Sequence, residues 1–245
     1  MRFLLASVFV FFALVTSANA QQGMNESNLA KEIILFEANS YRVVTEFNVY
    51  VMQKDKRSEQ RLLDVLEKGD KLSSLFNQQS TALAPSWNKY RTFTWEKHNQ
   101  DSGDTYIFND MRILHKDLLA IVEDIKKQVN SDLLPAKDLN KVTGVLLIEQ
   151  LASEYLEMSA ATFGSFGFAG SEQAIQIEAR SQAFEHVISE LKKAYADDAI
   201  KLKAVKKLAL RWKFIRGTLL AYNERSAPFA VSKTVGYIRK QLAEI

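Results

Sequence analysis

Between residues 27 and 53, apolar side chains fall at Leu29, Ile33, Phe36, Val43, Phe47 and Tyr50. This is the three-and-four spacing that lines one face of a helix. The same period returns over residues 57–82 through Leu62, Val65, Leu66, Leu72, Leu75 and Phe76, and over 105–129 through Phe108, Met111, Leu114, Leu118, Val122 and Ile125. It returns again over 138–163 (Val142, Val145, Leu151, Tyr155, Met158), over 171–196, and over 198–224 (Leu202, Val205, Ala209, Trp212, Ile215, Leu219). Phe229, Val235, Ile238 and Leu242 continue it beyond Pro228. Breakers divide these runs. Gly69 predicts a bend or break in the second helix, because glycine costs about 1 kcal/mol against alanine in a helix interior. Pro85 ends that run and suits the first turn of a helix over 86–99. Asp101-Ser102-Gly103-Asp104 reads as a turn, and 164–170 as a connector. Ser171 is placed to cap the sixth helix, and Asp197 or Asp198 the seventh. The expected fold is all-α, with eight helices.

A repeated frame organises them. Leu208-Ala209-Leu210-Arg211-Trp212-Lys213-Phe214-Ile215-Arg216 matches Leu83-Ala84-Pro85-Ser86-Trp87-Asn88-Lys89-Tyr90-Arg91 as Leu-Ala-x-x-Trp-x-x-x-Arg, 125 positions earlier. Arg57-Ser58 is echoed upstream by Arg180-Ser181, and Leu118-Leu119-Ala120-Ile121 downstream by Leu242-Ala243-Glu244-Ile245. Three anchors in one order predict an internal duplication. They imply two tandem antiparallel four-helix units, residues 24–130 and 137–245, joined through a Pro135-bearing linker.

The first 20 residues change where this fold is expected to work. Arg2, an apolar run from Phe3 to Val15, and Ala18-Asn19-Ala20 have the form of a secretory signal peptide. The mature chain, beginning near Gln21, is expected outside the cytoplasm, most simply in the periplasm. No later stretch reaches the roughly 20 apolar residues of a spanning helix. The chain has no cysteine, so its stability must come from its core rather than from disulfides. The formal charge of +3, from 32 basic and 29 acidic residues, loses one unit with Arg2. So small a balance does not suggest nucleic acid as a partner.

Candidate chemistry is sparse. His98, His115 and His186 are scattered without a Glu-x-x-His pair, so no di-iron site is expected. Zinc and calcium spacings, a phosphate-binding loop and a nucleophile elbow are also missing. No metal, cofactor or catalytic residue is therefore assigned. Trp87 and Trp212 fit the core of each unit. Arg91 and Arg216 lie one helical turn beyond them, either covering apolar surface with their stems or pointing into an interhelical groove toward an anion. These four are the candidate ligand residues. Lys203, Lys206, Lys207 and Lys213 belong to a basic stretch that reads as a solvated helix face or a patch for an acidic partner.

With its leader, repeated helical units and Trp212 helix, the chain resembles the periplasmic sensing domains of type IV pilus methyl-accepting chemotaxis transducers, whose relatives occur in nitrate/nitrite sensor kinases. The resemblance is carried by Leu147-Ile148-Glu149-Gln150-Leu151-Ala152, the Trp212 helix and the Tyr222-Asn223-Glu224 to Pro228-Phe229 turn. It is best over Val142 to Ile245. It implies a non-enzymatic periplasmic module that binds a small ligand or a periplasmic or membrane protein. The family's arginine-rich run, whose Arg residues line the anion site of the nitrate sensors, corresponds to Leu147–Leu156, which holds no Arg; nitrate binding does not carry over. Because the chain stops at Ile245 with no signalling domain, a free-standing version is expected. The competing expectation is a structural or chaperone-like interaction protein that uses an exposed helical face.

Overall fold

The computed structural model describes residues 26–99, 105–163, 171–221 and 227–245. The leader, the Asp101–Asp104 turn, the 164–170 connector and Tyr222-Asn223-Glu224 lie outside them. Every regular element among the described residues is a helix, with no strand. The helices are α1 (Glu26–Gln53), α2 (Lys56–Ser74), α3 (Leu83–Lys97), α4 (Thr105–Gln128), α5 (Ala136–Phe163), α6 (Ser171–Ala194), α7 (Ala199–Leu220) and α8 (Pro228–Glu244), with a short 3₁₀ turn at Ser131–Leu133. None is long and apolar enough to cross a membrane.

Most boundaries follow local chemistry. Asp55 caps α2 by accepting from Ser58 N at 2.7 Å. Asp198 caps α7 by accepting from Lys201 N at 3.0 Å, and Pro228 opens α8 at a position where no amide donor is needed. Several expectations are corrected. The second helix stops at Ser74 rather than near residue 82, and α3 starts at Leu83, so Pro85 sits inside its first turn. Amides of a first turn have no intrahelical acceptor, so proline loses nothing there. α2 also runs unbroken through Gly69. A Cβ at that position would stand 2.0 Å from the Trp87 ring; glycine is there to admit the indole. The helix carrying Trp212 ends at Leu220, ahead of the expected 224, and Ser171 is already helical.

The helices pack in chain order. α1 meets α2, α2 meets α3, α3 meets α4, and α4 returns to α1; α5 through α8 do the same. The most extensive helix pair joins the two sets, α1 against α5, and α1 also touches α8. Apolar side chains form two clusters. One gathers residues of α1 to α4 but includes Leu134 and Val142, and the other gathers α5 to α8 but includes Val49 of α1. The cores thus meet across the α1/α5 seam.

Enclosure of α1 explains its composition. Residues 43 to 50 are all buried, with Glu37, Asn39, Ser40, Thr45, Glu46 and Asn48 among its buried polar side chains. Buried polar groups require partners. Asn39 Nδ2 donates to Val65 O at 3.0 Å, Asn48 Nδ2 to Val44 O at 2.9 Å, and Lys126 Nζ reaches Glu37 Oε2 at 3.0 Å. Burial nevertheless raises the Glu37 carboxyl above its ordinary pKa, against the lowering effect of Lys126.

Candidate functional site

The repeated Trp-x-x-x-Arg frame does the same job twice. Trp87 Nε1 donates to Asp70 Oδ1 of α2 at 2.7 Å, and Arg91 Nε donates to the other oxygen of that carboxylate at 2.9 Å. Trp212 Nε1 donates to Glu185 Oε1 of α6 at 3.2 Å, and Arg216 Nε stands 2.6 Å from the same oxygen in an ion contact without hydrogen-bond alignment. Spacing of four residues puts Trp and Arg one turn apart on one face, so each pair closes on a single carboxylate of the preceding helix.

Both indoles are buried, Trp87 at 2% and Trp212 at 3% exposure. Phe36 meets Trp87 edge-to-face at 5.4 Å, and Phe184 meets Trp212 at 4.9 Å. The aromatic surface and both polar handles are therefore taken up by the fold. Of the two sequence readings, the geometry accords with packing: these four residues clamp helix to helix, while the Arg91 and Arg216 side chains keep 30% and 39% of their surface exposed. The small cleft of about 220 Å³ beside Trp212 is bordered by Glu185 and Lys192 and leaves that clamp intact.

The lysines are placed differently. Lys203, Lys206, Lys207 and Lys213 are all exposed on α7 and make no ion pair among the described residues. Interleaved with them are Ile200, Leu210 and Phe214, exposed at 84%, 69% and 71%. At 100° per residue the seven positions fall within an arc of about 140°. Val205, Leu208, Trp212, Ile215 and Leu219 occupy the opposite, buried side. The result is a mixed cationic and apolar face, in which the apolar members escaped notice because they fall off the core period.

Other charged groups went unremarked because their spacing along the chain carries no motif. On the side of α1 facing α2 and α8, the buried Glu46 accepts from Arg61 Nε at 3.0 Å and lies 3.5 Å from Arg42 Nε. Glu149 of α5, 1% exposed, pairs with Arg239 of α8. His115 is enclosed by Tyr41 and Tyr90, with Nε2 2.9 Å from Ser40 Oγ. Burial lowers its pKa to about 3, so the ring is neutral at ordinary pH. Among the described residues no group of three or more His, Cys, Asp or Glu is arranged to hold a metal ion. No family model, curated protein or solved structure matches the chain.

Proposed function

We propose that this protein is a non-enzymatic periplasmic binding module, akin to the sensing domains it resembles, which docks an acidic protein on the outer face of α7. The observation that carries this reading is the seven-residue face itself. Large apolar side chains exposed beyond half their area, set among unpaired lysines, are costly to leave in water and match the make-up of a protein interface: aromatic and aliphatic anchors with complementary charge around them. A membrane-surface helix would segregate its apolar residues to one side. Here Lys203 and Lys207 sit between Leu210, Phe214 and Ile200.

The architecture behind this face is two four-helix units descended from one. Each half closes its own ring of helix contacts, and each uses Leu-Ala-x-x-Trp-x-x-x-Arg to grip a carboxylate of the preceding helix. The upstream anchor has drifted between the halves. Ser58 stands twelve residues before Asp70, whereas Ser181 stands four before Glu185, so the α6/α7 hairpin has lengthened or slipped relative to α2/α3.

A photo-crosslinking residue at Phe214, introduced in the native host, tests the reading. It is expected to capture one acidic protein, in a yield that falls with added salt and vanishes when Lys203, Lys206 and Lys207 become Gln. Equal capture from exposed Lys116 on α4, or capture indifferent to both salt and the lysines, would overturn it.

A further inference from the structure

A groove of about 440 Å³ opens where α8 crosses α1 and the start of α2. Its size falls within the range of small-molecule sites. Six cationic side chains line it: Arg42, Arg57, Arg61, Lys233, Arg239 and Lys240. Glu46 is the single carboxylate in the lining, with Glu149 behind Arg239.

The charges are unevenly satisfied. Glu46 is shared between Arg42 and Arg61, and Glu149 holds Arg239. Arg42 Nε nonetheless lacks a hydrogen-bond acceptor although it is enclosed, and Arg57 and Lys233 make no ion pair among the described residues. Lys240 has only a loose contact, 3.8 Å, with Glu244. Burial, and after it the nearby Arg239 cation, holds the Arg42 guanidinium below its ordinary pKa. Arg239, by contrast, is raised above its ordinary pKa despite its burial, because Glu149 lies beside it, so the two arginines differ in how well an anion serves them. An arginine keeps its proton near neutral pH, so an added anion would stabilise Arg42 as Glu149 stabilises Arg239.

We infer that this groove binds a multiply charged organic anion, one bearing two or more carboxylate or phosphate groups. The arginines of α1 and α2, half-buried at Arg42 and Arg61 and exposed at Arg57, would face one group and the α8 cations another. Multivalency follows from the arithmetic. Three carboxylates, Glu46, Glu149 and the loosely placed Glu244, set against six cations leave a surplus of three, which one monovalent ion cannot offset. Arginine forks suit the planar or tetrahedral oxygens of carboxylate and phosphate. Tyr237 and Phe229, exposed at 47% and 44%, stand on the α8 wall and give the ligand's uncharged body a surface to lie on. The groove is lined by both sets of helices, so an anion bridging it would tie α8 to α1 and α2. It shares no residue with the α7 face and does not depend on the partner proposed for that face.

Calorimetry on the whole mature chain, with pyrophosphate and citrate as probes and acetate as the monovalent control, tests the site. One pyrophosphate or one citrate per chain should bind at least about tenfold more tightly than acetate, and comparing the two separates phosphate from carboxylate preference. The Arg57→Gln/Lys233→Gln variant removes two exposed, unpaired cations and should fold as the parent does. It is expected to lose about tenfold or more in affinity. Lys203→Gln/Lys206→Gln/Lys207→Gln on α7 should leave binding unchanged. Binding no tighter than acetate, several anions per chain, or equal loss in both variants would each overturn the assignment. If the double variant fails to fold, Arg57→Gln alone carries the same comparison.

Discussion

Gly69 and Trp87 form a fitted pair, since the ring occupies the space a Cβ would need. Gly69→Ala must push the indole off Asp70 or shift α2 from α3, and overpacking of this kind typically costs about 1–3 kcal/mol. A lower melting temperature is the expected result, although alanine is the better helix former. In the other half, Trp212→Ala should cost about 3–5 kcal/mol. Trp212→Phe keeps most of the ring contact and gives up the bond to Glu185, a loss of about 1 kcal/mol. Urea titrations of the two variants separate the terms, and equal losses would show that the indole nitrogen, not the ring, dominates. His115 has a different signature. It binds a proton near pH 6.5 when unfolded but only near pH 3 when folded. In that window the unfolded state holds more protons, so stability falls as pH drops, by about 1.4 kcal/mol per unit. A flatter acid limb for His115→Gln checks this, read from the slope and not the absolute stability.

α7 carries two faces with opposite roles, and one experiment separates them. Lys203, Lys206 and Lys207 make no pairs to lose, so replacing all three by Gln should leave melting within error of the parent. Asp198→Ala removes the cap and should cost about 1 kcal/mol. If the lysine variant melts lower instead, that face is buried against something in the folded protein. The element scale also shows what the sequence made legible. Amphipathic helices such as α4 and α8, with one wet side, announced themselves through period alone. α1 disclosed only half its nature, because Glu37, Asn39, Glu46 and Asn48 lie off its apolar stripe, yet α5 and its neighbours cover them. Burial of a polar face depends on a partner more than 100 residues away, and no local pattern records it. The groove stayed hidden for the same reason: Arg42, Arg57 and Arg239 become neighbours only when α8 returns to α1. Trp87 and Trp212 were legible as core anchors, while the carboxylates they grip, at unequal sequence distances, were not.

At the scale of the molecule, the α1/α5 seam decides how independent the halves are. Val49 sits in the apolar cluster of the second half and Val142 in that of the first, so cutting the chain between α4 and α5 exposes apolar surface on both sides. Residues 24–130 and 137–245, produced separately, are expected to melt well below the intact chain and to recombine when mixed, as sedimentation or calorimetry would show. Two fragments that each melt like the whole and ignore one another would mean that the seam contributes little.

The enclosure of α1 bears on how the protein comes into being. Among the described helices it is the first to be made, yet two of the helices that cover it, α5 and α8, come much later. For most of synthesis α1 lacks the surroundings that its buried side chains require. A chain shortened before α8 would leave Glu149 without Arg239 and the Glu46 side of α1 open to water. Such a product is a target for proteases more than a half-active protein. The polar residues along α1, which look like a liability in the finished core, reduce the contiguous apolar surface that the helix exposes before its partners arrive.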